Sequence, residues 1–150
     1  MQMTLETFSG ETLQVPEGLR KGYGVLLIYR GHWGPFCSQQ LAGFQSLWKE
    51  FQAEEIAVIG ASIDPLEKAK ETVEKVGIAY PVAFGLDSEE VSRLTGAYCD
   101  VNKKFLHATG FLVRPDLTIE IVCYSSGTIG RFVVKDVLSL VRFYKSRQKE

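Results

Sequence analysis

The run Val25-Leu26-Leu27-Ile28-Tyr29 constrains the fold of this chain more than any other stretch. Five consecutive apolar residues without polar alternation suit a strand covered on both faces, the central strand of a sheet between layers of helices. A second run of this kind, Ile56 to Ile63, follows a stretch (36–53) in which Leu41, Phe44, Leu47, Trp48 and Phe51 recur at helical spacing. Strand, helix and strand in that order predict a right-handed parallel crossover.

The same reading extends along the chain. Asp64-Pro65, with Glu67 three residues after the aspartate, predicts a capped helix running to Gly77, where a glycine suits a left-handed C-cap. Val82 to Phe84 reads as a short strand. Asp87 before Ser88-Glu89-Glu90 reads as an N-cap whose helix ends at Gly96, followed by a loop through Cys99 and Asn102. Phe111–Val113 and Thr118–Tyr124 flank Arg114-Pro115-Asp116-Leu117, which predicts an antiparallel hairpin. Val134, Val137, Leu138, Val141 and Tyr144 give a closing amphipathic helix over 133–144, and residues 3–15 an N-terminal β-hairpin. The expected fold is α/β, a mixed central β-sheet flanked by α-helices. With 150 residues and no repeat, linker or low-complexity tract, residues 1–150 are expected to form a single domain.

Charge narrows the functions open to such a chain. Seventeen Lys and Arg balance eighteen Asp and Glu, and no basic tract offers nucleic acid or an anionic membrane a footprint. No apolar run approaches the roughly 20 residues of a membrane span, and the start lacks a basic stretch followed by an apolar one, so a cytoplasmic protein is expected. Cys37, Cys99 and Cys123 are odd in number and without framework spacing, which suits a reducing compartment. His32 and His107 and the dispersed cysteines lack the close pairing of metal ligands, so neither metal nor cofactor is expected.

The chemistry concentrates after the first apolar run, in Arg30-Gly31-His32-Trp33-Gly34-Pro35-Phe36-Cys37. A thiol at a helix start faces unpaired amides and the positive end of the macrodipole, which favour the thiolate and make it a nucleophile. The sulfur is expected to stand open to small oxidants. Arg30 and His32 are the nearest cations in sequence; Trp33 and Phe36 read first as packing residues. Arg131, after the Gly127 and Gly130 turns, is a further candidate. Cys99 is a possible second thiol in a loop, whereas Cys123, in phase with Ile119 and Ile121, reads as inert core.

These segments, with Ile59-Gly60-Ala61-Ser62-Ile63-Asp64, Tyr80-Pro81-Val82, Asp87, Ala97-Tyr98 and Phe111-Leu112-Val113 in order, resemble the peroxiredoxin (AhpC/TSA, redoxin-domain) family of the thioredoxin-like superfamily, over nearly the whole chain. One branch carries Arg-Gly-x-Trp-Cys-Pro-Phe-Cys; here Gly34 replaces its first cysteine. In the family pattern Pro-x-x-x-Thr-x-x-Cys, Arg30 takes the proline position, Gly34 the threonine position and Cys37 that of the peroxidatic cysteine. The resemblance implies a thioredoxin-like fold and a Cys37 thiolate that attacks hydrogen peroxide or an organic hydroperoxide. The resulting sulfenic acid would be reduced by an external thiol, such as thioredoxin or a small thiol, or resolved by Cys99. The implied pocket is Arg30, His32, Trp33, Gly34, Pro35, Phe36 and Arg131, in a chain that could form a homodimer through an edge strand. The family arginine before the strand equivalent to Phe111 is missing, since His107, Ala108 and Thr109 occupy that region, which leaves Arg30, His32 or Arg131 to replace it. Two other functions remain. A thiol-disulfide oxidoreductase would need the partner thiol that Gly34 removes and a proline before Phe111. A catalytically degenerate thioredoxin-like module would fit the missing hydroxyl and arginine.

Overall fold

The computed structural model describes residues 2–19, 22–100, 102, 104–127 and 129–148. The elements in order are β1 (Met3–Thr7), β2 (Thr12–Val15), a 3₁₀ turn (Glu17–Leu19), β3 (Gly24–Ile28), α1 (Pro35–Ser46), α2 (Trp48–Ala53), β4 (Ala57–Ala61) and α3 (Leu66–Val76). Then come β5 (Val82–Phe84), α4 (Ser88–Thr95), β6 (Cys99–Asp100), β7 (Phe105–Leu106), β8 (Thr109–Val113), β9 (Ile119–Tyr124) and α5 (Val134–Gln148). Seven strands form one sheet in the order β2-β1-β5-β4-β3-β8-β9. β3, β4 and β5 run parallel, and the remaining pairings are antiparallel, so the sheet is mixed and the fold thioredoxin-like α/β.

Every residue of β3 is buried, as the unbroken apolar run requires of a strand with helices on both sides. Its side chains alternate between two cores. Val25, Leu27 and Tyr29 pack with Leu41 and Phe44 of α1, Phe51 of α2, Val73 of α3 and Val141 of α5. Leu26 and Ile28 pack on the other face with Leu19, Val91 of α4 and Leu106 of β7. Phe44 and Phe51 are fully buried and meet edge to face at 5.4 Å, so truncating either to alanine should cost about 3–5 kcal/mol.

The structure departs from the sequence reading at several points. The helix expected over 36–53 breaks at Leu47 (φ −111°, ψ 19°). The Ser46 hydroxyl donates to the Gly43 carbonyl at 2.7 Å, the acceptor that the Leu47 amide would use in a continuing helix. The apolar stripe carries across because α2 restarts at once, with the Phe51 amide bonded to the Leu47 carbonyl. The loop expected around Cys99 is instead a small ladder in which Cys99 pairs with Leu106 and Asp100 with Phe105. Asp64 does not cap α3: Pro65 takes that place without a side-chain bond, and the aspartate is buried. Asp87 does cap α4, accepting from the Glu89 and Glu90 amides, and Gly77 and Gly96 close their helices in the left-handed conformation. The N-terminal hairpin joins the main sheet through β1 and β5. Among the described residues no helix is long and apolar enough to cross a membrane.

Candidate active site

The site lies at the C-terminal end of β3, between its parallel neighbour β4 and its antiparallel neighbour β8, where open α/β sheets offer a crevice. The chain leaves β3 at Tyr29 and turns at Gly31, whose φ of +152° and whose absent Cβ, which would lie 2.2 Å from the Trp33 ring, restrict the position to glycine. The Gly34 amide donates to the Gly31 carbonyl at 3.3 Å and closes the loop. Gly34 is the N-cap of α1 and Pro35 the first helical residue, where a missing N–H costs nothing. Cys37, Leu41 and Phe44 then share the inward face of the helix.

That phase corrects one expectation. Cys37 is 1% exposed, so its sulfur is not open to solvent. It is not left in bare hydrocarbon either. The Arg30 amide donates to Sγ at 3.3 Å and Nη1 of Arg131 donates to it at 3.0 Å. Two N–H donors, one of them on a guanidinium, thus converge on this one sulfur. Arg131 reaches it across 94 positions of sequence because α1 and β8 shape the segment that carries it. Nε2 of Gln40 donates to the Phe132 carbonyl at 3.1 Å, and the Phe132 ring lies over Gly110, where any Cβ would come within 2.5 Å of it.

The other cations are arranged around the thiol rather than on it. The Arg30 guanidinium lies 4.9 Å above the Phe105 ring, and its Nε is buried without a partner. His32 Nδ1 donates at 3.0 Å to Asp64, whose side chain is 1% exposed against 37% for the histidine. The Asp64 amide donates to the Ser62 hydroxyl at 3.1 Å, and Asp64 Oδ2 has no partner. Burial pushes the Tyr29 phenol up to about 12, with the Ser62 hydroxyl opposing and the negative charges of Asp64 and Cys37 adding to the rise. Asp64 and Cys37 therefore act on the same buried hydroxyl, from the segment after β4 and from α1 respectively.

Trp33 and Phe36 are 46% and 43% exposed and so are rim residues, not core plugs. Trp33 meets the His32 and Phe105 rings edge-on at 5.4 and 5.7 Å. Phe36, one residue from Cys37 and so on a different side of α1, lines with Gln39, Arg131, Phe132 and Val133 a groove of ≈ 430 Å³. Cys99 packs against the core on the opposite face of the sheet from that of Cys37. Cys123 is partly exposed, its Sγ 3.6 Å from the Gly130 carbonyl, because β9 is an edge strand whose outer positions no helix fully covers. It is not the core residue that its phase with the isoleucines predicted. The structure thus gathers Cys37, Arg30 and Arg131, with His32 and Trp33 on the adjoining loop, and leaves Cys99 apart. Sequence reasoning missed Asp64 and Tyr29; a buried aspartate directly before a helix is hidden by the more frequent capping role.

A model described as the AhpC/TSA family matches residues 1–122. A peroxiredoxin of Treponema denticola is 26% identical over 153 residues, covering 98% of this chain and 70% of that protein. Among solved structures, peroxidoxin BcpB from Mycobacterium tuberculosis superposes with a TM-score of 0.79 at 22% identity, over 95% of this chain and 93% of that one. A yeast mitochondrial 1-Cys peroxiredoxin gives 0.83 at 19% identity, over 100% and 76%.

Proposed function

The chain belongs to the AhpC/TSA family, and from that membership we propose that it is a thiol peroxidase in which Cys37 reduces hydrogen peroxide or organic hydroperoxides. The observation that carries this reading is the convergence of the Arg131 guanidinium and the Arg30 amide on one buried sulfur. The thiolate attacks the terminal oxygen of the peroxide; an S–O bond forms, the O–O bond breaks, and sulfenic acid and water or an alcohol result. Arg131 replaces the family arginine absent before Phe111 and holds charge both on the sulfur and on the departing oxygen. Because Cys37 is buried, the Trp33–Pro35 loop or the segment around Phe132 must part for peroxide to reach it.

An external thiol, a protein such as thioredoxin or a small thiol, reduces the sulfenic acid. Gly34 supplies no local partner, and Cys99 belongs to the opposite core. Three free cysteines support a reducing, cytoplasmic setting. Continuity of both cores across one sheet supports reading 1–150 as a single domain, and the exposed Ile119 and Tyr124 on edge strand β9 suit a homodimer. The test is thiol-dependent peroxide consumption. Cys37→Ser should abolish it, while Cys99→Ser and Cys123→Ser keep it within about threefold; turnover that survives Cys37→Ser contradicts the reading.

A further inference from the structure

Breaking the O–O bond leaves an alkoxide or hydroxide that must be protonated, and the two groups bonded to the sulfur cannot do this. A guanidinium stays charged at any ordinary pH and an amide N–H does not dissociate, so Arg131 and the Arg30 backbone can stabilise charge but not give up a proton. The Tyr29 phenol, at about 12, is too weak an acid at neutral pH. Cys99 lies on the other core and Cys123 at the sheet edge. Of the titratable groups that the contacts around the site bring in among the described residues, Asp64 is already engaged with His32 and the His107 ring meets Phe105 at 5.2 Å, which leaves His32 itself.

We propose that His32, held through Nδ1 by Asp64, is the general acid of the peroxidase reaction and delivers its Nε2 proton to the leaving oxygen. This rests on the peroxidase reading above. Three observations converge on it. The Gly31–Gly34 bond folds the loop so that His32 stands at its tip, two residues before a glycine whose Cβ would lie 3.3 Å from Cys37 Sγ. Asp64 is 1% exposed, spends one oxygen on His32 Nδ1 at 3.0 Å and keeps the other unpartnered, so the imidazole is fixed from a buried anchor. His32 is itself accessible from solvent, so it can be reprotonated between turnovers. The step balances: the sulfur loses two electrons to the O–O bond, its S–O bond forms, the departing oxygen takes the His32 proton, and neutral His32 regains a proton from water. Asp64 acts as a positioning residue through its bond to Nδ1.

The consequence is a dependence on the leaving group. Acetate departs from peracetic acid without help, whereas tert-butoxide departing from tert-butyl hydroperoxide needs its proton. Second-order rate constants for Cys37 oxidation by both peroxides would be measured in the full chain by stopped flow. In His32→Gln the tert-butyl hydroperoxide rate should fall about 10²-fold, typical of a lost general acid, and the ratio of the peracid to the alkyl peroxide rate should rise by at least about tenfold. Asp64→Asn should raise the same ratio to a smaller degree. An unchanged ratio in His32→Gln, whether both rates fall together or neither moves, overturns the proposal, and this exposed substitution decides the matter even if Asp64→Asn fails to fold. A wild-type chain whose Cys37 reacts with neither peroxide would instead overturn the peroxidase reading beneath it.

Discussion

A single position, Gly34, decides which thiol chemistry is open to the chain. Its backbone (φ −90°, ψ 116°) suits any residue, and a Cβ there would stand 3.6 Å from the Cys37 Cβ, within the span of a disulfide. Gly34→Cys should therefore form an intramolecular disulfide with Cys37 on mild oxidation, seen as the loss of two titratable thiols and two hydrogens by mass; two thiols that stay free would contradict the geometry. Gly31, by contrast, admits no side chain. At this scale the thiol was legible, because glycine and proline around a cysteine mark a loop running into a helix. Its donors were legible only as candidates: Arg30, His32 and Arg131 all stood open, and tertiary packing decides that the Arg131 side chain reaches the sulfur. Asp64 was hidden by a local pattern, Asp-Pro before a helix, that more often signals a cap.

Among the elements, regular periodicity was readable and short or interrupted structure was not. The runs of β3 and β4 and the stripe of α5 stand where their apolar spacing put them, and α3 ends at Gly77 as its C-cap glycine predicts. The break at Leu47 escaped because its cause is one serine hydroxyl competing for a carbonyl, and β6 and β7 escaped because a two-residue strand has no period. The site depends on how these elements meet. α5 is tied to the end of α2 by Glu54, which accepts from Arg142 at 2.9 Å and Lys145 at 3.1 Å, hydrogen bonds that hold its carboxyl below the usual range. The segment before α5 is pinned by Gln40 and by Phe132 over Gly110, and so aims Arg131 at the sulfur. Arg131→Gln should slow oxidation of Cys37 by hydrogen peroxide about 10²-fold, the loss typical of one preorganised donor, while the half-buried position keeps the melting temperature close to wild type. Stopped-flow oxidation within about twofold of wild type would show that Arg131 is not the donor that matters.

Across the whole molecule the same sheet serves both stability and chemistry. It buries a core on each face and leaves the end of β3 as the place where a backbone amide, a distant guanidinium and a helix start converge. Accessibility and activation then point to different cysteines. Cys99 and Cys123 are partly exposed and, among the described residues, receive no cationic donor at sulfur, whereas Cys37 is buried and has one. The most direct test is to treat the reduced protein with one equivalent of hydrogen peroxide in the presence of dimedone and locate the adduct by peptide mass spectrometry. Label on Cys37 well in excess of that on Cys99 and Cys123 is the expected result; label distributed by exposure, with Cys37 spared, would contradict the account.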